Sequence, residues 1–474
     1  MTKSENRHRL LGIALCLTII GCVGVLSFSV STFFDKLMFL IMLTIFVFCV
    51  ILDLKEDKKA VLARMKGIFQ SAKILYIVLA LYFIWDVITI LYTRDLLLSV
   101  KKFPYMIEYV GIFLASVYYC KITNKIVHII ISVALTGTLV SIGTYLYYFL
   151  SQKPIYFQRL STARDYNVYA SIIIFGIIFA SVYLMNYCKL SFFKRILIYT
   201  AVCVVNMPTF YFAGSRRMAI MVPYFFLFAV LFEVIRLMVS KTATKRILFE
   251  NLAFLSIIVV IFFITSSSLP IFSKFGAEKE AAYKAWLANE QSNGIDVPTK
   301  EETKDEKTIS AVLETISDKS MYSKRSLIYS VAFNELKDYN VTEWIFGRGA
   351  AYDLYMYDTT TDEALLKAYS IDKDHPRPKG WLSVHNFTLA DLLNGGLIKL
   401  ILGLTLVGTI IAYMIRAIQY KKRIGIALVI PFALVFVNNF ISGAYGMMND
   451  VFFQIMLAVL CGIIYVNQKE KANV

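Results

Sequence analysis

Apolar runs long enough to cross a bilayer recur along this chain, and that repetition sets what it can fold into. Crossing about 30 Å of hydrocarbon takes roughly 20 helical residues. Runs of about that length lie near residues 10–30, 35–53, 74–93, 105–120, 127–150, 167–187, 196–213, 218–239, 248–268, 397–416, 424–442 and 449–466. Inside hydrocarbon every backbone N–H and C=O must be bonded within its own segment, so such runs form helices. Composition agrees: 58% of the residues are hydrophobic and only 17% are charged, against about 25% charged in ordinary soluble chains. The expected fold class is an all-α polytopic membrane protein with about 12 transmembrane helices.

The net charge of +16 does not point to nucleic acid, because no basic face on a soluble module is visible. Most of the Lys and Arg residues lie in short links, where the positive-inside rule makes them a topology signal. With the N-terminus in the cytoplasm, the cytoplasmic segments hold 23 Lys and Arg and the short outer links hold nine. Both termini are then cytoplasmic. Lys3, Arg7 and Arg9 precede a first run too long for a signal-peptide core, which is expected to be a retained anchor. All seven cysteines fall in or at the ends of apolar runs, so no disulfide framework is expected.

One long polar stretch, residues 269–383, interrupts this pattern. It divides the chain into residues 1–268 with nine helices, an extracytoplasmic loop domain over 269–385, and residues 386–474 with three helices and a short cytoplasmic tail. Within the loop, residues 273–291 and 300–318 read as charged helices, broken by Asn293-Gly294 and Pro298. From Ser323 to Lys337, Leu327, Ile328, Val331, Ala332 and Leu336 recur at helical spacing, predicting an amphipathic helix along the membrane interface.

An outer face excludes chemistry that needs ATP or nucleotide-sugars, so a donor must arrive with the membrane. Lipid-linked donors carry phosphate or diphosphate, which makes outer arginines the residues to weigh. Arg216 and Arg217 sit in the short turn after the seventh run; snorkelling to lipid phosphates explains them equally well. Arg325 opens the amphipathic helix and has a plain alternative as a solvated charge. Arg164 opens the sixth span beside Asp165, where a local pair or cap also accounts for it. His385 directly precedes a span, where an ionisable side chain is costly without a role. A neutral imidazole there takes a proton from a sugar hydroxyl, and an interfacial or capping histidine is the plainer account. Asp86 in the third span and Glu108 in the fourth are expected to pair with Arg94, Lys101 or Lys102.

The order of these motifs resembles the O-antigen ligase and polymerase superfamily, bacterial transferases of lipid-linked glycans. The resemblance rests on His385-Asn386, nine residues, then Gly396; on Gly214-Ser215-Arg216 before a span; on Arg325 opening a loop helix; and on Trp344-Ile345-Phe346-Gly347-Arg348-Gly349. Lys399 departs from it, because the ligase pattern has Gly, Thr or Tyr three residues after its glycine. The resemblance implies a lipid-donor glycosyltransferase with one long extracytoplasmic loop, in the bacterial cytoplasmic (inner) membrane. It implies transfer of a glycan from undecaprenyl diphosphate to lipid A core or another glycan acceptor, inverting, with no metal and no cofactor. Arg216 and Arg325 would grip the diphosphate, His385 would orient or deprotonate the acceptor, and Arg217, Arg164, Arg348 and Asn386 would bind substrate. A polysaccharide polymerase with the same donor fits the same motifs. A lipid-glycan flippase fits less well, since repeated halves are not detected here, and a peptidoglycan polymerase, whose usual span count is about ten, is mildly disfavoured by twelve runs.

Overall fold

The computed structural model describes residues 3–27, 33–123, 125–151, 166–213, 249–250, 252–265, 319–369, 379–420, 435–436 and 451–472. Among these the chain is helical throughout, without strands. The helices are α1 (Lys3–Ser27), α2 (Phe33–Glu56), α3 (Lys58–Ser71), α4 (Lys73–Ile90), α5 (Leu96–Thr123), α6 (Val127–Ser151), α7 (Tyr166–Asn186) and α8 (Phe192–Phe212). After them come α9 (Leu252–Thr265), α10 (Lys319–Lys337), α11 (Val341–Phe346), α12 (Tyr352–Thr359), α13 (Glu363–Ala368), α14 (Phe387–Tyr420) and α15 (Val451–Ala472). Among the described residues five stretches are long and apolar enough to cross a membrane: Lys36–Glu56, Lys73–Ile90, Val127–Ser151, Val168–Asn186 and Phe387–Arg416. This is the architecture of a helical membrane protein. The first seven apolar runs fall in α1, α2, α4, α5, α6, α7 and α8. The run near 218–239, the loop helices expected over 273–291 and 300–318, and all of the run near 424–442 but residues 435–436 lie outside the described residues.

The chain divides into two compact units, one of Met1–Thr18, Asp35–Ile129 and Lys319–Val474, the other of Ile19–Phe34 and Ile130–Asp318. In the first unit charges on α1 and α2 meet at one end and are joined there by a hydroxyl from α5. Asp53 accepts from Arg7 at 3.0 Å and from the Tyr118 hydroxyl at 2.8 Å, and lies 2.8 Å from His8 Nε2. Glu108 pairs with Lys36, whose ammonium also lies over the Tyr105 ring. The partners expected for Glu108 were Arg94, Lys101 or Lys102. The correction is physical: Lys36 opens α2, and packing of α2 on α5 brings a cation from another helix to a carboxylate that local spacing had assigned to nearer ones.

In the second unit α6 and α7 touch through glycine. A Cβ on Gly137 would lie 2.8 Å from the Gly176 Cα, and one on Gly176 would lie 2.7 Å from the Gly137 Cα. Small residues let helix backbones approach where lipid supplies no hydrophobic drive for association. Polar side chains then tie the helices: Ser141 donates to Asn206 at 2.7 Å and meets Thr209 at 2.8 Å, and Thr144 meets the Tyr169 hydroxyl at 2.7 Å. Arg195 of α8 pairs with buried Glu250 at 3.4 Å. Gly176→Leu must force α6 and α7 apart, and overpacking of this kind costs about 1–3 kcal/mol. A fall of several degrees in the thermal midpoint of the detergent-solubilised protein is expected. Gly24→Ala, where nothing lies within 4 Å of the added carbon, should leave it unchanged. Equal midpoints for Gly176→Leu and the parent would remove the glycine contact as a packing constraint.

Candidate functional site

The second half of the polar loop builds its own core. Ile328, Val331, Ala332 and Leu336 of α10 are buried with Tyr352, Met356 and Tyr357 of α12, Leu365 of α13, Leu382, Val384, and Leu389, Ala390 and Leu393 of α14. Each such aliphatic side chain, fully buried, contributes about 1.5–3 kcal/mol before the entropy of ordering it. The helix expected from Ser323 is present and starts at Lys319, and its apolar face is buried inside a protein core. Protein covers that face. Periodicity identifies an apolar stripe, and the identity of what buries it is a property of the tertiary fold.

A glycine turn latches this core to the membrane helices. Asn340 and Glu343 form a capping box that starts α11. Gly347, at φ 75°, ends it. The N–H groups of Arg348 and Gly349 then donate to the carbonyls of Leu393 and Asn394, each at 3.0 Å, and Ala350 donates to Thr89 at 2.9 Å. From the other side, the Tyr92 hydroxyl donates to the Phe346 carbonyl at 2.6 Å, and Thr93 and Ser99 donate to Ala350 at 2.7 and 2.8 Å. Gly349, at φ 95°, is so close that a Cβ would sit 2.6 Å from the Thr93 Cα. Asn394 and Asp353, both buried, close the contact with a reciprocal pair of 2.9 Å bonds.

Arg348 holds the loop together internally. Its guanidinium donates to Glu343 at 2.8 Å, to Glu335 at 2.5 Å and to the Tyr352 hydroxyl at 2.6 Å. It also lies over the rings of Tyr339 and Tyr352, 4.3 and 5.3 Å from their centres. The hydrogen bond from Arg348 holds the Glu343 carboxyl below its ordinary range. Likewise the Lys379 ammonium, 2.9 Å from Asp95, lowers the Asp95 carboxyl.

His385 stands where the chain leaves this core for α14. It is half-buried, follows fully buried Val384, and adopts φ 53°. That left-handed conformation is uncommon outside glycine, with Asn, Asp and His among the exceptions. Its Nδ1 lies 3.4 Å from the Ser383 hydroxyl. Asn386 caps α14: its side-chain oxygen accepts from the N–H groups of Thr388 and Leu389 at 3.0 and 3.1 Å, and from the Thr388 hydroxyl at 2.6 Å.

Gly396, at φ 66° and ψ −165°, breaks α14. The apolar run expected from residue 397 begins at this break. A Cβ on Gly396 would lie 2.3 Å from the Ile345 carbonyl oxygen, so the break is seated against the glycine turn. The two halves of α14 then fold against each other. Asp391 Oδ2 lies 2.8 Å from where a Cβ on Gly403 would be, although twelve residues of straight helix rise about 18 Å. Lys399 locks this bend. Its buried ammonium is 2.5 Å from Asp86 of α4 and 3.4 Å from Asp391. The Tyr82 hydroxyl is 2.8 Å from both Asp391 oxygens. Trp85 Nε1 donates to the Gly395 carbonyl at 3.0 Å.

The structure thus brings His385, Asn386, Arg348 and the α10 segment carrying Arg325 onto one loop core: the Arg325 backbone lies one turn before Ile328, which shares a cluster with Val384. Arg164, Arg216 and Arg217 lie outside the described residues. Asp86 pairs with Lys399 and not with Arg94, Lys101 or Lys102; Arg94 approaches Glu343 instead, at 3.9 Å. Asp391 and Tyr82 escaped the sequence reading. The available signal was an acid and a lysine eight residues apart around Gly395-Gly396, inside an otherwise apolar segment. Among the described residues no group of three or more His, Cys, Asp or Glu side chains is arranged to hold a metal ion.

Removing one member of a buried ion cluster strands the others, at a cost of about 3–5 kcal/mol. Lys399→Met should therefore lower thermal stability sharply. Adding Asp86→Asn and Asp391→Asn should restore most of the loss; a triple variant no better than the single one would contradict the pairing. The latch also has a pH dependence. Carboxyls lowered by folding stabilise the native state above their unfolded pKa, and that contribution is lost as pH falls through the folded value. Amide exchange at residues 346–350, corrected for its intrinsic rate, should stay slow from neutral pH down to the carboxylate range, about pH 4, and accelerate below it. Acceleration near neutrality would contradict the Glu343 and Asp95 assignments.

Scanned against known proteins, the chain matches no family model and no curated protein.

Proposed function

We propose that this protein is an extracytoplasmic glycan transferase of the O-antigen ligase type, with about twelve spans, cytoplasmic termini and the 269–385 loop outside. One observation carries the reading. The two separate motifs of the resemblance, His385-Asn386 with Gly396 and the Phe346–Gly349 turn, meet backbone to backbone at Gly396, Ile345 and Gly347. Glycine is required at that contact on both counts, since Gly347 and Gly396 each have positive φ and no room for a Cβ.

In this reading the donor is a glycan on undecaprenyl diphosphate and the acceptor is a hydroxyl of lipid A core or another surface glycan. The imidazole of His385 takes the proton from the acceptor O–H. The acceptor oxygen bonds to the anomeric carbon from the face opposite the diphosphate, and the bond to the diphosphate oxygen breaks with inversion. Arg325 and Arg216 stabilise the charge that collects on the leaving diphosphate. Arg217 and Arg164 hold the outer part of the donor, and Arg348 and Asn386 act from the loop core, where Arg348 already binds two carboxylates and Asn386 starts α14.

The test is transfer by the purified protein in nanodiscs, supplied with lipid-linked glycan with and without a lipid A core acceptor. His385→Asn is the informative variant, because asparagine tolerates the left-handed backbone while removing the base. It should unfold at the parent's temperature and lose about a hundredfold or more in kcat. Full activity in His385→Asn would sink the assignment of the base. Elongation of the donor without added acceptor would make the protein a polymerase, and glycan translocation without transfer would make it a flippase.

A further inference from the structure

The link between α2 and α4 is neither loop nor membrane span, and it has an outward face of its own. α3 is joined to α2 through Asp57 alone and to α4 through Ala72 alone. Lys36–Glu56 and Lys73–Ile90 are each able to cross a membrane, so α3 is held at the boundary where both emerge. Asp57 caps it, accepting from the Ala60 N–H at 2.9 Å. Val61 and Ser71 turn inward and are buried. Gly67 lies against α5, where a Cβ would sit 3.0 Å from the Lys121 ammonium.

Beside Val61 and facing away from Gly67 and Ser71, Leu62, Met65 and Phe69 form an exposed ridge, 50%, 39% and 42% accessible. Helical spacing of 100° per residue sets Lys58 on that ridge and Lys59 and Lys66 along one edge of it; all three are exposed, as is Arg64. The helix contains no acidic residue. Nearby acids are engaged elsewhere, Asp57 in the cap and Glu56 with Arg7 at 2.5 Å.

We propose that α3 is a lipid-binding helix, which seats Leu62, Met65 and Phe69 among acyl chains and sets Lys58, Lys59 and Lys66 against the phosphates of anionic phospholipids. The occupant follows from position and charge. Tethering to two spans puts the ridge at headgroup depth. An apolar ridge edged by cations is the pattern of a helix lying in the interface plane. Three cations on or beside the ridge, on a helix without an acid, favour an anionic surface over a zwitterionic one. The inference is independent of the transfer reaction.

The experiment uses the full chain carrying Met65→Trp in two sets of proteoliposomes. One contains brominated phosphatidylglycerol in phosphatidylcholine, the other brominated phosphatidylcholine with unbrominated phosphatidylglycerol. The four native tryptophans are subtracted using the unsubstituted protein. Quenching of the added tryptophan should be stronger with brominated phosphatidylglycerol. Lys58→Gln, Lys59→Gln and Lys66→Gln together, all at exposed positions, should reduce that preference by about tenfold without changing the thermal midpoint. Equal quenching by the two lipids, or a preference that survives the triple substitution, would overturn the anionic assignment. Emission quenched by neither lipid would show the ridge covered by protein, a second copy included, and would overturn the proposal altogether.

Discussion

A buried ammonium between two carboxylates is what the first unit is organised around. Lys399 lies beyond the break at Gly396, Asp391 before it, and Asp86 on a different helix. In an apolar setting none of these charges is tolerable alone, and each is satisfied only when α4 and both halves of α14 are in place. The cluster therefore makes the bend in α14 and the packing of α14 on α4 a single event. Tyr82 and Trp85, on the same helix as Asp86, extend that clasp to Asp391 and to the Gly395 carbonyl.

The polar loop depends on this clasp. Gly396 can receive the Ile345 carbonyl and the Gly347 backbone only because the bend exposes its backbone to them. From that seat the Phe346–Ala350 turn reaches Thr89, Tyr92, Thr93 and Ser99. Arg348 then joins α10, α11 and α12 by way of Glu335, Glu343 and Tyr352. His385 is placed between the two systems, with the loop core on one side through Val384 and the cap of α14 on the other through Asn386.

The second unit uses different means. Close approach at Gly137 and Gly176, and hydroxyl and amide contacts among Ser141, Thr144, Tyr169, Asn206 and Thr209, hold helices that lipid alone does not drive together. Nothing in the apolar runs marked these residues, because a glycine or serine within a hydrophobic segment reads the same whether it faces lipid or a neighbouring helix.

Helix existence was legible from the sequence, since hydrophobic length is a local property: the first seven apolar runs each coincide with a helix, and the stripe of Ile328, Val331, Ala332 and Leu336 lies on α10. His385 stands out in the sequence as an ionisable residue at the edge of an apolar run, whereas Asn386 and Gly396 stand out only through the family resemblance. Partnership was not legible. The tertiary structure alone gave Asp86 to Lys399 and Glu108 to Lys36, covered the α10 stripe with protein, and placed His385 in the left-handed region. A charge buried in a membrane protein must find an opposite charge, but the chain's nearest candidates in sequence have no advantage once helices pack. Which side chains meet is decided by where backbones bend, and here that is set by glycines whose role shows only when another backbone lies against them.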